Sequence, residues 1–260
     1  MTATFVSSFQ SEWLKKKRSL AVWLVLVGSV FTPAIELLIA LTHREKLVKQ
    51  YSDPNFWSMH WYQCWQPLSF MLLPLGIVLA TSLVTQLEFK NNTWKQLHAS
   101  PQSLTVIFFS KLAVLLVMMI QLFLLFNLFT YLTALVPPMV FSEVPFSAGA
   151  IPFDQIVKHN AWIFLDCLPI LSIQYMLSLH FKNFLVPVGV GMVVWLLGTL
   201  ALSWKYSYIF PYLYSAFEQI EVRGGKVHES APDFHLMAMG YFVLSMGIGY
   251  ILYIRKADKG

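Results

Sequence analysis

The chain has 260 residues, of which 57% are hydrophobic and 12% charged, with a formal net charge of +5 and a mean hydropathy of +0.60. A water-soluble fold of this size would leave long apolar helices facing water, whereas a bilayer removes that surface at roughly 25 cal/mol per Å². The positive balance does not mark a nucleic-acid binder, because Lys and Arg gather beside apolar runs rather than on one basic face. The two cysteines, Cys64 and Cys167, supply neither a disulfide framework nor a CxxC pair.

In chain order, residues 1–19 read as a cytoplasmic interfacial helix. Phe5, Phe9 and Trp13 recur every four residues, and Ser7, Ser8, Gln10, Ser11 and Glu12 fill the positions between. The alternative is a frayed polar terminus. A single transmembrane domain is expected over 20–254, all-α, with six spans at about 20–41, 68–87, 104–135, 161–179, 184–202 and 236–254, followed by a cytoplasmic tail at 255–260. Each run supplies the ~20 residues that a crossing needs. The third is longer than necessary, so it must tilt, kink or extend beyond the lipid, and Pro137 and Pro138 mark its outer limit.

Charge placement sets the orientation. Lys15, Lys16, Lys17 and Arg18 precede the first run, Arg255, Lys256 and Lys259 follow the last, and six crossings put Lys90, Lys95 and Lys182 on the same side. Basic residues on the other side are offset by Glu45, Asp53, Glu143, Asp154, Glu218, Glu221, Glu229 and Asp233. The bias predicts both ends in the cytoplasm. The first run is too long for a signal peptide and lacks a small-residue cleavage site, which predicts an uncleaved helix.

Trp57, Trp61 and Trp65 before the second span, and Trp204, Tyr206, Tyr208 and Tyr212 after the fifth, are expected in an outer aromatic belt. Pro33, Pro74, Pro169 and Pro187 should bend their spans, Gly189, Gly191 and Gly198 should allow close helix contact, and Asn127 and Gln174 should bond between helices.

The inner connection between the second and third spans carries the most chemistry. Trp94, Leu97 and the stem of Lys90 fall at helical spacing, so a short helix there would present one apolar ridge with charges alongside, and Pro101 would stop it. Such a ridge fits a partner's groove. A plain interfacial turn fits the pattern equally.

Glu88, the Asn91-Asn92-Thr93-Trp94 turn, Leu97, Pro101, Ser103 and Lys111 resemble the signature between the second and third helices of ABC-2 type permeases, closest to the lantibiotic-immunity and bacitracin-resistance group. Asn92 stands where that family often has Gly. The resemblance covers the whole six-helix plan. It implies a transport subunit of a bacterial plasma-membrane exporter, not itself an enzyme, working with a second permease chain, the same or related, and a dimer of cytoplasmic ABC ATPase subunits. It further implies that Glu88, Thr93, Trp94, Leu97 and Pro101 form a coupling helix seated in the ATPase, with Phe9 and Trp13 beside it, and that residues 204–217 form a re-entrant hairpin. A surface loop with an aromatic belt is the other reading of residues 204–217. Independently of the resemblance, no G-x-x-x-x-G-K-[ST] occurs, so ATP and Mg²⁺ would belong to the partner and no cofactor to this chain.

Two acids fall within spans. Glu36 and Asp166 are each expected ~8 Å below the outer interface at 1.5 Å per residue, where a carboxylate either lines a hydrated pathway or is tolerated as an interfacial acid. The histidines form no HExxH, and no metal site is expected. Two other functions stay open: an intramembrane protease or lipid-modifying enzyme using Asp166 or Glu36, and a membrane sensor or scaffold. Neither has a paired motif in its favour, for no GxGD accompanies Asp166.

Overall fold

The computed structural model describes residues 2–17, 19–90, 103–225 and 232–257. Among them every regular element is helical. The order is α1 (Thr2–Lys17), α2 (Ala21–Thr42), α3 (Arg44–Tyr51), α4 (Phe56–Pro67), a π-helical segment (Leu68–Leu72), α5 (Leu73–Lys90), α6 (Leu104–Val140), α7 (Phe153–His180) and α8 (Leu185–Leu200). Two 3₁₀ turns (Ser207–Ile209 and Pro211–Leu213) then lead into α9 (Tyr214–Val222), and α10 (Phe234–Ala257) ends the described chain.

Five helices are long and apolar enough to cross a membrane: Ala21–Thr42, Phe56–Gln86, Leu104–Val140, Phe153–His180 and Phe234–Arg255. The expected span at 184–202 is the shorter apolar helix α8, of 16 residues, which rises about 24 Å at 1.5 Å per residue. Only 22% of the apolar stretch of α2 is buried inside the chain, and Trp23, Val27, Phe31 and Leu38 stand exposed along it. An apolar face of that extent is at home in lipid or against another protein, not in water.

α2 packs along α6, α10 along α7, and α5 against both α7 and α8. The main core joins Trp65, Leu68 and Val78 to Phe108, Met118, Phe126, Cys167, Ile170 and Tyr175. Gly191 lets α8 approach closely: a Cβ there would sit 2.2 Å from Gln174 Nε2 and 2.8 Å from the Val78 methyls. Gly198 likewise faces Leu213, whereas Gly189 has nothing within 4 Å. Asn127 and Gln174 do bond across elements, Asn127 to Asn160 at 2.8 Å and Gln174 to the Tyr212 hydroxyl at 2.8 Å.

The helices run further than hydropathy suggests. α6 has 37 residues and continues through Pro137 and Pro138 to Val140, and α7 begins at Phe153 rather than near residue 161. The expected loop from Pro137 to Asn160 therefore shrinks to residues 141–152. Pro138 cannot donate to the Ala134 carbonyl, and the Tyr51 hydroxyl donates to it instead at 2.8 Å, so the last turn of α6 stays satisfied.

The second span also starts earlier, at Phe56. Trp57, Trp61 and Trp65 are 6%, 6% and 0% exposed, so they are core residues and not a belt. The reason is the π-helical segment, where the Leu73 N–H bonds five residues back to Leu68 and the helix continues through Pro74. Pro74 can donate neither to Phe70, four residues back, nor to Ser69, five back. Other elements serve both carbonyls: Trp195 Nε1 of α8 donates to Phe70 at 2.9 Å, and Ser215 Oγ of α9 donates to Ser69 at 2.8 Å. Pro187, by contrast, lies in the first turn of α8, where its missing N–H takes away no bond within the helix.

The aromatic stretch after α8 also turns inward at its end. Trp204 and Tyr206 are exposed, but Tyr212, Leu213, Tyr214 and Phe217 are at most 1% exposed. α9 packs against α7, α4 and the π-helical segment. It ends in a Schellman-type stop, with Gly224 at φ 78° and Gly225 N–H returning to the Ile220 carbonyl at 3.0 Å.

Candidate functional site

Two polar clusters and two cavities stand out in an otherwise apolar bundle. At the amino-terminal end, α1 docks along α6. Its inward stripe is polar: Ser8, Glu12 and Lys16, four residues apart, are 2%, 4% and 4% exposed, while Phe5 is 37% exposed. This reverses part of the sequence expectation, in which Glu12 belonged to the outward face. At 100° per residue, Phe9 and Trp13 flank that stripe, and both pack on the core with their rings stacked 5.8 Å apart.

The buried Lys111 ammonium of α6 explains the inversion. It lies 2.7 Å from Glu12 Oε2, with Lys15 on the other carboxylate oxygen. Lys16 Nζ sits 3.8 Å above the Trp13 ring and donates to Gln121 Oε1 at 2.8 Å. Burial works to raise the Glu12 carboxyl, but the charges of Lys111 and Lys15 and their hydrogen bonds outweigh it, and the group titrates below the ordinary carboxylate range. Burial, with Lys17 nearby, lowers the Lys16 ammonium.

Ser103 opens α6 as its N-cap, accepting the Val106 N–H at 3.4 Å. This explains the position of Ser103 in the signature. Thr93, Trp94, Leu97 and Pro101 lie outside the described residues, and Glu88 is described only as backbone in the last turns of α5.

At the end of the bundle where α9 packs, Asp166 of α7 meets two residues that sequence reasoning did not join to it. Asp166 Oδ1 lies 2.9 Å from His235 Nδ1 in the first turn of α10. His235 Nε2 lies 3.7 Å from Glu218 Oε2 of α9, and Glu218 Oε1 lies 3.1 Å from His159 Nδ1, about two turns before Asp166 on α7. Trp162 stacks on His235 with centroids 4.2 Å apart, and Trp65 meets the His159 ring edge-on at 5.5 Å. His235 and Glu218 stood in the sequence only as a flanking histidine and one of several outer acids. No periodicity connects three elements that the fold alone brings together.

Glu36 has a different setting. It is half-buried and borders a cavity of about 210 Å³, whose wall includes His43, Lys46, Gln50, His60 and Gln63. Asp166 is fully buried in its network. Two acids that look equivalent by depth thus separate into one on a polar cavity and one sealed among partners.

Between α6 and α7 lies a cavity of about 630 Å³ lined by aromatic and aliphatic side chains, among them Trp61, Phe123, Leu128, Tyr131, Phe153 and Phe164. The Asn127–Asn160 pair forms its polar spot.

Five long apolar helices, two of them less than a third buried within the chain, with charges held in internal pairs, define a multi-pass membrane protein. The chain belongs to the ABC-2 family transporter proteins, whose family model matches residues 8–198. It is accordingly a membrane component of an ABC transporter, of a family that normally partners with an ATPase subunit. The match begins in α1 and ends within α8, so it takes in Glu12, Lys111 and Asp166 but not Glu218 or His235. Comparison with curated proteins and with solved structures gives no match.

Proposed function

We propose that the chain is the permease subunit of an ATP-driven exporter that moves an amphipathic peptide or lipid-like molecule out of, or off, a bacterial plasma membrane. The family match over residues 8–198 carries this reading. The pathway belongs to two permease chains, this one and a copy or relative, and the driving force to a cytoplasmic ATPase dimer. Six spans with both ends inside, α8 being the fifth, put residues 88–97 on the ATPase side as the coupling segment, near α1. In the same frame α9 and the turns before it form the re-entrant hairpin of the outer half.

The apolar cavity between α6 and α7 suits such cargo, since selection of an amphipathic molecule needs apolar area with a few polar groups. Peptide-antibiotic immunity or resistance is the role that the sequence resemblance favours, with Glu36 on the pathway.

Co-purification of the full complex tests the coupling assignment. Trp94→Ala or Leu97→Ala should release the ATPase while leaving the permease folded, and unchanged association in both removes that assignment. Catalytic activity of the isolated chain, independent of ATP and abolished by Asp166→Asn, would overturn the transport reading in favour of an intramembrane enzyme.

A further inference from the structure

We propose that Asp166, Glu218 and His235 bind a divalent transition-metal ion of the Zn²⁺ class. This goes beyond the transport reading and does not rest on it. One ligand atom from each residue lies within 4.8 Å of the others. In a tetrahedral site with bonds of ~2.0–2.1 Å, neighbouring donors stand about 3.3–3.5 Å apart. The His235 ring stands between the two carboxylates, Nδ1 2.9 Å from Asp166 Oδ1 and Nε2 3.7 Å from Glu218 Oε2, so binding an ion through one ring nitrogen requires the farther carboxylate to rotate towards it. One imidazole and two carboxylates supply three protein donors, the number that a catalytic zinc uses, and leave a fourth position for water.

A second, independent observation points to a cation. Asp166 is 0% exposed, yet its Oδ2 has no hydrogen-bond partner. A buried carboxylate oxygen left unpaired is costly. His235 meets Asp166 at Oδ1, while Glu218, Glu221 and Asp233 bring further carboxyl groups to the cluster. A dication at the cluster would satisfy Asp166 and screen Glu218 together.

The surroundings also have the form of a metal site's outer ring. His159 Nδ1 bonds Glu218 Oε1 and so holds the carboxylate with Oε2 towards His235. Trp162, Phe234 and Trp65 pack on the two imidazoles and fix their planes. Such outer partners orient the ligands and raise affinity. The ion would tie α9 to α7 and α10, three elements that the chain connects only through long segments.

The test uses the full chain in detergent, stripped with a chelator and titrated with Co²⁺, then Zn²⁺. Wild type should take up one Co²⁺ per chain with a saturable visible ligand-field band and quenched tryptophan fluorescence, and Zn²⁺ should displace it. Asp166→Asn and His235→Ala should each weaken binding at least tenfold, while Glu221→Gln, outside the donor set, should stay within twofold. If the alanine variant does not fold, His235→Cys decides. It should keep the ion and add a sulfur-to-cobalt charge-transfer band. Absence of saturable binding by wild type, wild-type affinity in Asp166→Asn, or binding by His235→Cys without that band would overturn the proposal.

Discussion

Glu12→Gln isolates the buried ion pair between α1 and α6. The substitution keeps the shape of the side chain and removes its charge, taking from the Lys111 ammonium, 1% exposed, the carboxylate 2.7 Å away. Removing one partner of a buried ion pair costs about 3–5 kcal/mol. Lys15 contributes little to this figure, because it is 35% exposed and a pair of that kind is worth ~0–1 kcal/mol.

The loss should appear as undocking of α1. Trypsin cleavage after Lys16, which is buried in the docked helix, reads the open population directly when closing outpaces cleavage. At about 1.4 kcal/mol per decade, the rate should rise about a hundred- to a few-thousand-fold. Glu12→Gln with Lys111→Met should recover most of the protection, since replacing both charges of a buried pair is often near neutral. Lowering pH should reproduce the single substitution. The Glu12 carboxyl is depressed in the folded chain, so its contribution is full above the unfolded value of 4.5 and fades only as pH falls through the lower folded value. Wild-type cleavage rates in Glu12→Gln, or a double variant more exposed than either single one, would refute the argument.

Three other outcomes are expected. Trp195→Phe removes the indole donor that reaches the Phe70 carbonyl and should lower stability by about 1–3 kcal/mol in thermal unfolding, with no effect meaning that the carbonyl finds another donor. Gly191→Ala, whose new methyl would fall 2.2 Å from Gln174 and 2.8 Å from Val78, should cost about 1–3 kcal/mol or more, whereas Gly189→Ala, with open space around it, should leave the melting temperature unchanged. Glu36→Gln, on a polar cavity rather than in a packed network, should alter substrate-stimulated ATP hydrolysis of the assembled complex while sparing its melting temperature. Wild-type turnover in that variant would remove Glu36 from the pathway.

Hydropathy identified where the chain is apolar but not how far its helices run. α6 passes Pro138, and the helix that begins at Phe56 passes Pro74, because Tyr51, Trp195 and Ser215 serve carbonyls that these prolines leave open. Those partners lie 83, 125 and 146 residues from the carbonyls they satisfy, beyond any local pattern. The tryptophans before residue 68 have belt-like spacing, yet the same four-residue period describes one buried helical face, and only packing separates the two readings. The period of α1 was visible, but its inward side was not, because a buried Lys111 made a charged stripe more favourable than an aromatic one. Asp166 was legible as an unusual acid within a span. Its partners were not, since α9 and α10 meet it only in the folded bundle.

The helix from Phe56 to Lys90 is held at its middle by two side chains from elsewhere in the chain rather than by its own backbone. An unbroken helix resists bending because several amide bonds must yield together. At Pro74 two of those bonds are replaced by an indole and a hydroxyl from other helices, each worth a net ~1 kcal/mol. The second long rod is thus tied at this point to α8 and α9, and its local stiffness depends on both staying in place.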